Sequence, residues 1–213
     1  MSKLEVDQID PQSGTTLTLG TSGDTVVVPS GVSLAPGGGL TLTGALVVDG
    51  GTVKLDGNYP TGSSNVALGD TALDSLTSGN ENTAIGAASL TANTSGCYNV
   101  SVGRSSLTAN TTACGNTAVG MFSVATNTTG ASNVGIGRNS LRANTTASNN
   151  TAVGTDSLCA NTTGCENVAV GAKALDANTT GHYNTAVGHN SLGANTTGAS
   201  NTAVGTNALC INT

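Results

Sequence analysis

A phrase of seventeen residues repeats without insertion or deletion from residue 65 onward. Stepping by seventeen from Asn65 reaches an asparagine every time, at residues 82, 99, 116, 133, 150, 167, 184 and 201. The consensus is N-[TV]-A-[VI]-G-x-x-[SA]-L-x-A-N-T-T-G-x-x, numbered here as positions 1 to 17. A unit this short cannot bury its own apolar face, so each copy must stack on its neighbours.

The nine copies separate constrained positions from free ones. Position 5 is always Gly, position 13 is always Thr, and position 9 is Leu in every copy except Val124. Position 3 is Ala in seven copies, and the two exceptions, Ser101 and Gly135, are also small. All charged residues from 65 onward fall at positions 6, 7, 10 or 17. Charged groups are almost never fully buried without a partner, so these four positions are predicted to face water.

The local pattern predicts strands and turns. Apolar residues alternate in T-A-V-G and S-L-x-A, and Asn, Thr and Gly are poor helix formers. We predict two short strands in each copy, at positions 1–5 and 8–12. In-register stacking gives an all-β fold, a parallel β-solenoid or β-roll of 17-residue coils that rise by about 4.8 Å each. A flattened, two-sided roll is favoured over a three-sided hexapeptide helix because the third side would have no core residue.

Each predicted strand has two faces. Positions 2, 4, 9 and 11 are predicted to fill the inside, which gives a solenoid core of Val119, Leu141, Val153, Leu158, Val170, Leu175, Val187 and Leu192. Positions 1, 3 and 5 stay small in every copy, although a face in water should vary. We predict that this face packs against other copies of the chain in a homotrimer, through Ala84, Ala118, Ala152, Ala169, Ala186 and Ala203.

The predicted domain order has four parts. Residues 1–14 form an extended docking segment, 15–57 a small N-terminal β-domain with turn-separated strands such as "DTVVVPSG", and 58–64 a linker. Residues 65–213 form the solenoid of nine repeats, of which the last contains thirteen residues.

Two resemblances bear on function. "NTAVG" and "NVAVG" followed by "ALDANTTG" resemble the head repeats of trimeric autotransporter adhesins, which implies a trimeric parallel β-roll. The opening "MSKLEVDQIDPQSGTTLTLG" resembles the start of fibre and structural proteins of tailed phages of cyanobacteria and marine hosts. That resemblance implies a virion protein, assembled in the host cytoplasm and exposed on the particle exterior, with residues 1–64 contacting other virion proteins.

We therefore predict a non-enzymatic spike or short tail fibre whose variable loops contact a host-surface receptor. The alternatives are a capsid decoration or head-fibre protein and, in another class, a bacterial surface adhesin or an ice-binding solenoid. The net charge of −6 argues against a nucleic-acid partner. The opening residues lack the apolar core of a signal peptide, and no stretch is apolar enough for membrane insertion.

Side chains with potential chemistry are sparse, and we predict no catalytic, cofactor-binding or metal site. The five cysteines are predicted to be free thiols, although Cys97 and Cys114 occupy adjacent coils within disulfide reach. His182 and His189 are predicted to be solvated loop residues. Tyr98, Tyr183 and Phe122 are loop aromatics, either receptor contacts or incidental surface residues. Asn at position 12 and Thr at position 13 are predicted to form side-chain ladders between coils.

Overall fold

The computed structural model of the protein describes residues 63–211. The predicted docking segment (1–14), the small β-domain (15–57) and nearly all of the linker (58–64) lie outside the described residues, so those predictions stay untested.

Residues 63–211 form a parallel β-solenoid with one seventeen-residue unit per coil. Each coil contributes one three-residue strand, and the nine strands follow one another in a single parallel sheet. Every strand residue pairs with the residue seventeen positions later, as Thr151 does with Val168. The all-β parallel solenoid is therefore confirmed. In chain order the strands are β1 Val66–Leu68, β2 Thr83–Ile85, β3 Val100–Val102, β4 Thr117–Val119, β5 Val134–Ile136, β6 Thr151–Val153, β7 Val168–Val170, β8 Thr185–Val187 and β9 Thr202–Val204.

The predicted second strand at positions 8–12 is wrong. In the structure this wall is a run of turns, because positions 7 and 9 adopt left-handed backbone angles, with φ of 58° at Asn139 and 50° at Leu141. A left-handed residue interrupts the extended pleat of a strand. The backbone nevertheless pairs from coil to coil, since the amide of Leu141 donates to the carbonyl of Ser157 at 3.0 Å. The turns thus form a second wall that is hydrogen-bonded along the stack like the sheet.

The core lies between the sheet and this wall of turns, and it is filled by positions 3 and 9. The predicted core leucines Leu141, Leu158, Leu175 and Leu192 are fully buried there. The predicted core valines Val119, Val153, Val170 and Val187 instead point outward and are partly exposed. The predicted packing face Ala84, Ala118, Ala152, Ala169, Ala186 and Ala203 is inside its own chain, with side chains 0–4% exposed.

Space explains why the two faces of the strand are reversed relative to the prediction. Successive strand residues point to opposite sides, so only one of positions 3 and 4 can point inward. The position-9 leucine from the opposite wall already occupies most of the narrow interior. A methyl group fits beside it, whereas a branched side chain would not, so Ala turns in and Val or Ile turns out.

Two separate constraints require the invariant glycine at position 5. Gly154 has a φ of 135°, a conformation that essentially only glycine adopts. A Cβ at this residue would also lie 2.6 Å from the carbonyl carbon and oxygen of Gly171 in the next coil. The corner of the coil therefore combines an unusual backbone angle with close approach of two backbones.

Two buried asparagine ladders run along the stack. In the position-12 ladder, Asn161 donates from Nδ2 to Asn144 Oδ1 at 3.1 Å and to the carbonyl of Gly164 at 2.9 Å. In the position-1 ladder, Asn150 donates to Asn133 Oδ1 from its backbone amide at 3.0 Å and to the carbonyl of Gly164 from Nδ2 at 2.9 Å. The two ladders thus meet at one carbonyl in each coil. Every buried side-chain nitrogen and oxygen in residues 63–211 has a hydrogen-bond partner.

These ladders confirm one prediction and correct another. Position-12 asparagines stack as predicted. Position-13 threonines also link coils, but each hydroxyl donates to a backbone carbonyl, as Thr145 Oγ1 does to Thr162 at 3.1 Å. The position-1 asparagines were predicted on the outer face with Ala, and they are instead buried. Their amide satisfies polar backbone groups that the narrow interior would otherwise leave without partners.

Candidate interaction surfaces

The outer face of the sheet is lined by aliphatic side chains and threonines, and no residue between 63 and 211 covers it. It consists of positions 2 and 4 of all nine coils, and we call it the sheet face. Position 4 is always Val, Ile or Leu, while position 2 alternates between Val and Thr through eight coils. The most exposed large side chains on this face are Leu68, Ile85, Val100, Ile136, Val168, Val170 and Val204, which range from 36% to 70% exposed. No charged residue occupies either position.

The sheet face is large for a surface in water. Nine strands spaced about 4.8 Å apart span about 38 Å, and three residues along each strand span about 10 Å. The resulting strip of about 400 Å² is comparable with the largest apolar patch of a typical monomer, and such patches are often functional.

The charged loops occupy the other sides of the coil. The charged residues at positions 6, 7, 10 and 17 are all exposed or partly exposed, as predicted, although the uncharged Ala125 and Gly193 at position 10 are buried. Burial raises the pKa of the Asp176 carboxyl above its ordinary value, and the nearby Lys173 opposes that shift. The loop surface is therefore mostly solvated, and its sequence differs from coil to coil.

One group of loop residues converges, and we call it the arginine patch: Arg104, Met121, Phe122, Arg138 and Arg142. The guanidinium carbons of Arg104 and Arg142 lie 5.8 Å and 6.0 Å from the centre of the Phe122 ring. Met121 is exposed at position 6, between the position-6 residues Arg104 and Arg138 of the adjacent coils. The patch spans three consecutive coils and includes every arginine in the chain.

An ion pair marks one edge of the arginine patch. Arg138 Nη2 lies 3.3 Å from Asp156 Oδ2, and Asn139 Nδ2 donates to the other carboxylate oxygen at 2.8 Å. Arg104 and Arg142 have no carboxylate partner among residues 63–211. Both side chains are exposed, and each guanidinium contacts the Phe122 ring.

The cysteines and histidines do not form a reactive cluster. All five thiols are free, and the amide of Cys97 donates to Cys114 Sγ at 3.1 Å in the adjacent coil. The amide of Cys165 donates in the same way to His182 Nδ1 at 3.0 Å. Burial raises the pKa of the Cys114 thiol, which keeps it in its less reactive protonated form.

The remaining predicted loop residues stay apart. His189 is exposed at position 6, far along the stack from the arginine patch. Tyr98 and Tyr183 are 60% and 59% exposed at position 17, five coils from each other, so they do not form one aromatic surface. Within the part of the chain that the structure describes, no three His, Cys, Asp or Glu residues are placed to hold a metal ion. No helix found between residues 63 and 211 is long and apolar enough to cross a membrane.

Sequence reasoning missed both surfaces described here. The sheet face was assigned to the core, and the arginine patch was treated as scattered loop residues. One signal for the patch is nonetheless visible in the sequence: residues 99–149 contain three arginines and no acidic residue.

Comparison with family models, with curated proteins and with solved structures finds no match.

Proposed function

We propose that this protein is a non-enzymatic structural rod of a phage virion, a trimeric spike or short tail fibre whose loops contact the host surface. The observation that carries the trimeric rod is the sheet face, a continuous strip of Val, Leu, Ile and Thr along a stack whose interior is already complete. The sequence-based prediction placed the trimer contact at position 3. Because those alanines are buried, we now assign the contact to positions 2 and 4.

A second and third copy of the same chain fit the sheet face better than an unrelated partner does. The strip repeats at the spacing of the coils, so two copies aligned side by side match layer by layer. It carries no charge that would require a complementary charge on a partner. Its area of about 400 Å² is below the roughly 800 Å² per partner of a standard interface, and flanking loop residues must contribute the rest.

The interior of the coil supports a load-carrying role. Both asparagine ladders and the backbone hydrogen bonds run along the long axis of the stack. Each coil therefore holds the next through several bonds in a water-excluded core, where hydrogen bonds are electrostatically stronger. Such a stack resists bending and local opening, as an extended appendage requires.

The virion assignment rests on the opening residues and on the repeat phrases, which resemble phage fibre proteins and adhesin heads. Cryo-electron microscopy of the particle, with a gold-labelled antibody to this chain, tests it. We expect label at the tail. Label on the capsid would assign the protein to head decoration, and particles without label would refute the virion assignment.

The oligomer has its own test by analytical ultracentrifugation. Val153→Asp with Val170→Asp places two carboxylates on the sheet face, and we expect the trimer to dissociate while circular dichroism stays unchanged. Thr163→Asp with Thr180→Asp is the matched control at exposed position 14 of the same two coils, away from the sheet face, and it should remain trimeric. A monomeric wild-type protein would contradict the proposal, and thermal hysteresis of that monomer would assign the strip to ice binding instead.

A further inference from the structure

The charge of the solenoid is segregated along its length. Residues 99–149 carry three arginines and no other charged side chain. The other repeats, residues 65–98 and 150–213, carry six acidic residues and one lysine, a net charge of −5 against +3 for this segment. The three arginines lie within three successive coils, one on the first and two on the third, and their like charges favour a bound anion. Only Arg138 has a carboxylate partner within residues 63–211.

Phe122 orders two of these charges. Its ring lies within 6.0 Å of the guanidinium carbons of both Arg104 and Arg142, which come from the coil before and the coil after. A cation above the face of an aromatic ring is attracted weakly, and the attraction favours that position over others. The two guanidinium groups are therefore positioned before any ligand arrives, and less side-chain entropy is lost on binding. Each keeps donors free for an anion, which arginine binds in bidentate fashion.

We infer that the arginine patch binds an anionic polysaccharide whose chain runs along the stack. Arg104 lies two coils from Arg138 and Arg142, about 9.6 Å along the axis. A sugar unit in an extended polysaccharide advances by nearly the same distance as one coil, so two acidic groups two sugars apart can meet Arg104 and Arg142. Met121, exposed between the position-6 arginines, offers an apolar contact to the C–H face of the intervening sugar.

A nucleic acid fits the patch less well, although arginine and an aromatic ring are typical of its binding sites. Sequence-independent nucleic-acid binding relies on many phosphate contacts and on aromatic side chains whose faces are open to stacked bases. Three arginines supply few phosphate contacts, and the Phe122 ring is only partly exposed and already contacts two guanidinium groups. The inference deepens the host-attachment part of the proposed function and rests on it, because it names the chemistry of the surface that the loops contact.

Phe122 and Arg142 of the patch lie across the core from the sheet face. A Cβ at Gly135 would meet Val124 and Ser123 of the opposite wall, so positions 8 and 9 face position 3, and positions 7 and 10 point away from the sheet. The other patch residues, at position 6, lie at the corner beside the sheet. The tests at Phe122 and Arg142 therefore probe binding away from the oligomer contact. The monomeric Val153→Asp, Val170→Asp variant should still bind the polysaccharide.

The test measures binding of the full chain to polygalacturonate, dextran sulfate, neutral dextran and oligodeoxythymidylate by biolayer interferometry at low and physiological salt. We expect binding to polygalacturonate or dextran sulfate, and the stronger of the two identifies carboxylate or sulfate as the anion. Arg142→Gln should weaken this binding by about tenfold, as loss of a charge-assisted hydrogen bond does. Lys173→Gln removes the same charge outside the patch and should change binding less than about twofold.

Phe122→Leu keeps all charges but removes the ring, and we expect an intermediate loss of about threefold. Equal binding of neutral dextran, stronger binding of oligodeoxythymidylate, or equal effects of Arg142→Gln and Lys173→Gln would overturn the inference. An unchanged sedimentation coefficient and thermal midpoint in each variant shows that a loss of binding is not a loss of fold. Failure of polysaccharide binding in a protein that is trimeric and virion-located would overturn this inference alone.

Discussion

The pair Val124 and Gly135 provides a sensitive test of how the core is packed. Val124 is the one exception to leucine at position 9 in the nine coils, and Gly135, in the next coil, is the one glycine at position 3. A Cβ on Gly135 would lie 2.5 Å from Val124 Cγ2 and 2.6 Å from Ser123 Oγ. A serine at position 8 faces alanine at position 3 in other coils, as Ser140 does Ala152, so the Ser123 contact is one that the fold accommodates. The valine methyl group is instead fixed by branching at Cβ. The two exceptions therefore compensate each other.

The compensation predicts how each substitution changes the free energy of unfolding. Gly135→Ala should destabilise the solenoid by about 1–3 kcal/mol through overpacking. That loss is reduced by about 0.4–1 kcal/mol, because alanine restricts the unfolded chain. Adding Val124→Leu restores the Leu–Ala pair found at most other coil junctions, such as Leu141 with Ala152. The double variant should therefore be at least as stable as the wild type, with a coupling energy of about 1–3 kcal/mol between the two changes.

The assay is urea unfolding of the wild type, both single variants and the double variant, followed by circular dichroism. The mirror experiment changes Leu141→Val and Ala152→Gly one coil further along, and there Leu141→Val alone should destabilise while the pair recovers part of the loss. Additive effects of Gly135→Ala and Val124→Leu would refute the reasoning. So would a Gly135→Ala variant as stable as the wild type, because the valine would then have room to move.

Three further predictions concern the coil corner, the ladders and the loops. Gly154→Ala should destabilise more than Gly205→Ala in thermal unfolding: both residues share a left-handed φ that costs about 1–3 kcal/mol in alanine, but a Cβ at Gly205 meets nothing closer than 3.9 Å. Asn161→Ala should lower the free energy of unfolding by about 1–3 kcal/mol for each ladder partner left without a hydrogen bond, and equal stability in urea would contradict the ladder. Asp176→Asn should stabilise slightly at neutral pH. The raised pKa of Asp176 means that its ionised form opposes folding, so the advantage should vanish as the pH falls through that pKa, and a pH-independent difference would refute the assignment.

The seventeen-residue period determined most of the architecture by itself. A strict repeat with alternating small and branched residues allows stacking and little else, so the parallel solenoid, the exposed charged loops and the position-12 ladder were all predictable. The second wall, which is a run of turns, was not predictable. Leucine is common in strands, and nothing in S-L-x-A reveals that position 9 takes a φ near 50°. That conformation is set by hydrogen bonds to the neighbouring coils, which exist only in the stack.

Which side of the strand faces inward was decided by tertiary structure alone. The alternation at positions 2 to 5 is equally consistent with valine inside or alanine inside, and burial of the larger residue is the usual outcome. The narrow coil reverses this usual outcome and buries the smaller residue, because a leucine from the opposite wall leaves space for one methyl group. Ala152→Phe is therefore expected to unfold a coil and not merely to separate subunits. The repeat specifies that the layers stack, and the narrow gap between its two walls decides which face remains for a partner.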